Sequence, residues 1–124
     1  MNNMIDDGMI FGNSEKRKAD LPWNPHPTFK GVSMKLLVKG DETGGRLSCH
    51  QVRVDPGCEL ALHAHEGKLE LHEVVAGSGV AFRGEEQFEY TPGTVAVIGA
   101  DVKHRVVAGD NGIILLAKFI PALA

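Results

Sequence analysis

Between residues 30 and 120 apolar and polar positions alternate in short runs, and nowhere in that stretch does an apolar i, i+3, i+4, i+7 pattern persist. Successive side chains of a strand leave opposite faces, so a period of two marks a half-buried strand, whereas a surface helix needs a period near 3.6. The runs predict strands at Ser33 to Val38, Arg46 to Val54, Glu59 to Ala64, Glu70 to Ala76, Gly79 to Arg83, Gln87 to Tyr90, Thr94 to Ile98, His104 to Val107 and Ile113 to Phe119. Turn material separates them, including Asp55-Pro56-Gly57, Glu66-Gly67, Gly77-Ser78-Gly79, Gly84-Glu85, Pro92-Gly93, Gly99 to Asp101 and Gly109 to Gly112. Glycine supplies positive φ and proline a fixed φ, which is what tight turns need. Many short strands joined by glycine-rich turns predict an all-β sandwich or barrel.

Residues 1–30 break this pattern. They are polar, and Pro22, Pro25 and Pro27 around Trp23 forbid a regular helix there, because proline lacks the amide proton and fixes its own φ. This segment reads as an extended N-terminal arm, anchored by Trp23 and Phe29, that lies along the barrel or onto a partner subunit. Residues 31–124 then form one barrel domain, and at 124 residues no second catalytic domain fits.

Composition narrows the function classes. The net charge is −3 and the basic residues form no stripe beyond Lys16-Arg17-Lys18, so neither nucleic acid nor an anionic membrane is indicated as a partner. No apolar span of membrane length occurs, and Asp6 and Asp7 with no apolar run behind them do not read as a secretory signal, so the expected location is cytoplasmic. Two cysteines, Cys49 and Cys58, are too few for a disulfide framework and are expected to be reduced.

Chemistry concentrates between Gly57 and Gly77, in GCELALHAHEGKLELHEVVAG. His63 and His65 are one residue apart on a predicted strand, so both rings leave one face with about 6.6 Å between their positions. Glu70 opens the next run, and its carboxylate can return to the same point. Two imidazoles and a carboxylate suit zinc, iron, nickel, manganese or copper.

The full spacing, Gly57-x5-His63-x-His65-x4-Glu70-x6-Gly77, resembles the first sequence motif of the cupin superfamily at every fixed position. A second motif should follow, and Gly93-x5-Gly99-x-Asp101-x2-His104 reproduces its spacing. Three residue types depart from it: Gly99 replaces a proline, Asp101 a glycine and Ala108 an asparagine. Aspartate tolerates left-handed backbone, so Asp101 reads as a turn residue, with a hydrogen bond to His104 as the alternative. The resemblance implies a jelly-roll barrel, the double-stranded β-helix of small single-domain cupins, and one divalent metal held by His63, His65, Glu70 and His104. It also implies a homodimer.

Parity extends the reading to neighbouring residues. On the strand of Glu70, His72 shares its face and is the candidate catalytic residue, as general base or as donor to a bound anion, against a core-histidine reading. His50 lies in step with Val52 and Val54, on a face that is either barrel interior or sheet packing. His26, flanked by prolines, is expected on the surface, and Cys58 in its turn is not expected to be a ligand. Three functions follow from the resemblance: a metal-dependent dioxygenase, isomerase, decarboxylase or lyase acting on a small oxygenated acid or aromatic; a non-catalytic binding or sensing module; and a purely structural metal site.

Overall fold

The computed structural model describes residues 8–124; the first seven residues of the expected arm, with Asp6 and Asp7, lie outside the described residues. The chain is an all-β jelly roll. Its strands are β1 (Met9–Phe11), β2 (Glu15–Arg17), β3 (Asn24–Pro25), β4 (Val32–Val38), β5 (Ser48–Val54), β6 (Glu59–His63), β7 (Leu69–Arg83), β8 (Glu86–Tyr90), β9 (Val95–Ile98) and β10 (His104–Ile120). Strands β3-β4-β5-β10-β7-β8 form a continuous antiparallel path, with β6 pairing on β10 and β9 on β7.

Two expected turns prove to be parts of strands. Gly77-Ser78-Gly79 lies within β7, and Gly109 to Gly112 lies within β10. The two segments face each other across one ladder, in which Ala108 pairs with Gly79 and Ile113 with Gly77. Four residues of β10 therefore oppose one residue of β7, and the surplus leaves as a bulge carrying exposed Asp110 and Asn111. Bulges bend a strand sharply without ending it. One long strand on each side of the bulge thus serves both halves of the barrel.

Residues 8–31 are more structured than a bare arm. Strands β1 and β2 make a separate hairpin, and β3 pairs with β4. Trp23 lies against the barrel's own outer face, with the Arg53 guanidinium 4.3 Å and Lys35 Nζ 4.9 Å from its ring centre. Lys35 Nζ donates to the Lys18 carbonyl at 3.0 Å. The described part of the segment is therefore packed on its own chain.

Register grades the barrel interior from apolar to polar. At one end Val54 pairs with Ile113, both fully buried. The next row is Val52, Leu115 and Val74, the next His50, Ala117 and His72, and the last Ser48, Phe119 and Glu70. Alanine between two histidines leaves room above the floor of packed aliphatic side chains. That room is the cavity of the functional site.

Candidate metal centre

Cross-strand pairing assembles the site. His104 opens β10 directly opposite His63, the last residue of β6, while Glu70 sits one residue into β7. His65 follows in the loop between β6 and β7, and its carbonyl accepts the amides of Lys68 and Asp101. Glu70 and His104 are 4% and 2% exposed, and one ligand atom from each of His63, His65, Glu70 and His104 lies within 4.8 Å of the others. The four residues expected as ligands are thus brought to one point.

Hydrogen bonds fix which nitrogen His63 and His104 turn inward. His63 Nδ1 lies 2.7 Å from the Ala61 carbonyl and His104 Nδ1 lies 3.0 Å from the Val102 carbonyl. A carbonyl only accepts, so each Nδ1 carries a proton and donates, and in the neutral ring Nε2 keeps its lone pair. His104 Nε2 faces Glu70 Oε1 at 3.1 Å, yet neither atom has a well-directed hydrogen bond among the described residues. Two buried acceptors at that distance need a positive charge between or beside them. A metal ion meets that need, and the donor set of three imidazoles and one carboxylate fits a first-row divalent ion.

The charges lean the same way. Burial opposes ionisation of Glu70, but contacts with His104 and His72 outweigh it and hold the carboxyl far below its ordinary value. Burial draws His63 and His65 down, keeping them neutral and ready to bind. His104 moves up, because the Glu70 carboxylate and the Val102 carbonyl overcome its burial.

His72 stands behind the carboxylate. Its Nε2 donates to Glu70 Oε2 at 2.5 Å, and its Nδ1 accepts from the Tyr90 hydroxyl at 2.9 Å. With both nitrogens engaged and 1% of its surface exposed, the ring aims one carboxylate oxygen and leaves the other to the cluster. Asp101 adopts φ 67° and its carboxylate accepts the Gly67 amide at 3.2 Å, so it stabilises the turn and the loop after His65; His104 turns to Val102 instead. Cys58 is not in the cluster and packs against the hydrophobic core.

The cluster opens on a cavity of about 200 Å³ whose walls include Met34, Val52, Leu60, Leu115 and Phe119. His50 lines it, its Nε2 3.0 Å from Ser48 Oγ and its ring edge-on to Phe119. His26 lines it too, with Pro27. The alternation in β5 allows the inward position of His50, but nothing in the linear pattern around His26 announces it, because its place depends on β3 docking beside β4.

A small antiparallel barrel with a histidine–carboxylate cluster at the mouth of an apolar cavity is the architecture that emerges from fold and site. The chain belongs to the cupin domain family, whose family model matches residues 50–117. Solved structures of similar fold include a predicted oxalate decarboxylase from Thermotoga maritima (20% identity, TM-score 0.76, covering 83% of this chain and 95% of that one). KdgF from Halomonas sp. is similar at 21% identity and TM-score 0.74, covering 83% and 90%. The ectoine synthase of P. lautus is similar at 21% identity and TM-score 0.68, covering 77% and 67%. Comparison with curated proteins gives no match.

Proposed function

We propose that this cupin is a metal-dependent enzyme acting on a small oxygenated acid or aromatic. One divalent iron, manganese, zinc, nickel or copper ion would be held by His63, His65, Glu70 and His104. The observation that carries the reading is the convergence of those four side chains, with two buried acceptors facing each other, on an apolar cavity. A closed structural site would have no use for such a cavity. Structures of the same fold described as a predicted oxalate decarboxylase and an ectoine synthase support an enzymatic reading.

When bound, a first-row ion supplies Lewis-acid or dioxygen chemistry at its open coordination positions. The chain's own residues do the rest. The carbonyls of Ala61 and Val102 hold two imidazoles in the ligating tautomer. His72, the candidate catalytic residue, holds its proton against Glu70 Oε2, and the Tyr90 contact supports a positioning role over direct transfer to substrate. Aliphatic walls exclude water from the reacting group. A homodimer belongs to the same proposal.

Metal analysis of protein purified without an affinity tag should find one divalent ion per chain. His63→Ala and His104→Ala should each weaken binding by at least about 100-fold, since a lost ligand costs more than a lost supporting contact. Full occupancy in the double variant would sink the assignment. Small chelating acids should also change the visible spectrum of the cobalt-substituted protein; no change at millimolar concentration would mean a closed coordination sphere and no enzyme.

A further inference from the structure

His26 and His50 are polar side chains of the cavity that the metal chemistry leaves unused; His50 Nε2 is engaged with Ser48 Oγ, and His26 is the one whose ring is fixed by backbone amides. It precedes Pro27 after β3, half-buried, and stacks on Phe29 with ring centres 4.4 Å apart and planes 7° from parallel. Phe29 in turn sits 5.7 Å from the ring of His63, so the stack links His26 to the metal cluster. Two backbone amides, those of Thr28 and Phe29, both donate to His26 Nδ1 at 3.0 Å. An imidazole nitrogen that accepts two N–H bonds carries no proton. Partial burial also draws the pKa of His26 down, so the neutral ring keeps its single proton on Nε2.

Imidazole nitrogens point in divergent directions, so with Nδ1 turned into its own turn, Nε2 is directed away from it. We infer that His26 presents Nε2–H to the cavity as a fixed hydrogen-bond donor for a substrate acceptor beyond the chelating end, one aromatic ring away from the ligand His63. Backbone hydrogen bonds and stacking hold the ring in place, so little orientational freedom is lost when the bond forms.

The lining also limits what that acceptor can be. No lysine or arginine lines the cavity among the described residues. A second carboxylate or a phosphate beside His26 would meet no cationic side chain of the lining, whereas a carbonyl, ether or hydroxyl oxygen needs one neutral donor. The substrate class that fits is a small acid that chelates at one end, has an apolar body, and carries an uncharged oxygen at the other. This deepens the proposed function and rests on it.

The test uses the cobalt-substituted full chain and visible-spectrum titration, with 2-oxoheptanoate and its analogues bearing a second ketone at C5 or C6 as probes. At least one diketo acid should bind about 10-fold more tightly than the parent, the effect of one well-placed neutral hydrogen bond. His26→Phe, which keeps the stack and removes the donor, should abolish that difference, read as the ratio of the two acids' affinities within the same variant. His26→Gln, with an amide N–H at a similar reach, should retain part of it. His26→Met gives the same reading as the phenylalanine variant if the latter does not fold. If both kinds of acid bind but no ketone position is preferred, or the preference survives in His26→Phe and His26→Met, this inference is overturned and the metal site stands. If neither acid perturbs the cobalt spectrum, the proposed function fails and takes the inference with it.

Discussion

His63, His72 and His104 each have a nitrogen assigned by a neighbour, and Tyr90 shows how far such assignments reach. Its hydroxyl donates to His72, which donates to Glu70, so the phenol proton lies at the outer end of a chain terminating at the carboxylate. Burial first, and the Glu70 charge second, push the Tyr90 pKa up to about 12. A folded pKa above the unfolded value means the neutral phenol contributes stability in full below about pH 10, lost as pH rises toward 12. The contribution is on the order of 2 kcal/mol. Tyr90→Phe should be less stable than wild type at pH 8 by about 1 kcal/mol, the lost hydrogen bond. Between pH 10 and 11.5 its stability in urea should fall less steeply than that of wild type. Parallel slopes would show that Tyr90 does not ionise on unfolding.

The site residues were legible in the linear sequence to the degree that strand parity carries them. His63 and His65 share a parity, and so do Glu70 and His72, which is why all four could be expected on inner faces. His104 required the second motif, because only its pairing opposite His63 places it, and no local pattern encodes that register. His26 was expected on the surface because prolines and polar residues surround it. Its cavity position follows from two amides folding back onto its ring, a contact among three residues that periodicity does not report.

At the scale of elements, the misread turns show where pattern reasoning gives way to packing. Glycine clusters usually end strands, yet Gly77 and Gly79 are required inside β7 because β10 approaches too closely for side chains. A Cβ on Gly77 would stand 2.1 Å from the Gly112 carbonyl oxygen, and one on Gly79 2.4 Å from that of Val107. Gly77 also has φ 73°. Gly84, at the β7–β8 turn, has φ 58° but nothing within 4 Å, so it isolates the backbone cost from the clash. Gly84→Ala should cost about 1 kcal/mol, the usual penalty of left-handed backbone for an L-residue. Gly77→Ala should cost at least about 3 kcal/mol, because two strands must separate as well. Equal losses in chemical denaturation would mean that the bulge yields freely and that close approach is not why these glycines are there.

For the whole molecule, the outward face of β7 and β9 gathers several of the exposed large apolar side chains among the described residues. Register puts Leu71 beside Val97 and Leu69 beside Ile120, all on the face opposite Glu70 and His72. Val95 and Val97 are 55% and 50% exposed, and Leu69 and Ile120 stay partly open as well. Trp23 packs at Arg53, on the far side of the sheet path from this face. Charge offers little to keep copies apart, at −3 over the chain. The proposed homodimer is expected to bury this face rather than to be held by Trp23, which is where the sequence pattern alone would have put the contact. Static light scattering at micromolar concentration should give about twice 13.3 kDa. Val95→Lys combined with Val97→Lys places like charges at the centre of a symmetric contact and should yield a monomer. Its metal content should be unchanged, because both side chains point away from the cluster. A wild-type mass of 13.3 kDa would refute the dimer, and a dimer that survives both lysines would move the interface to another face.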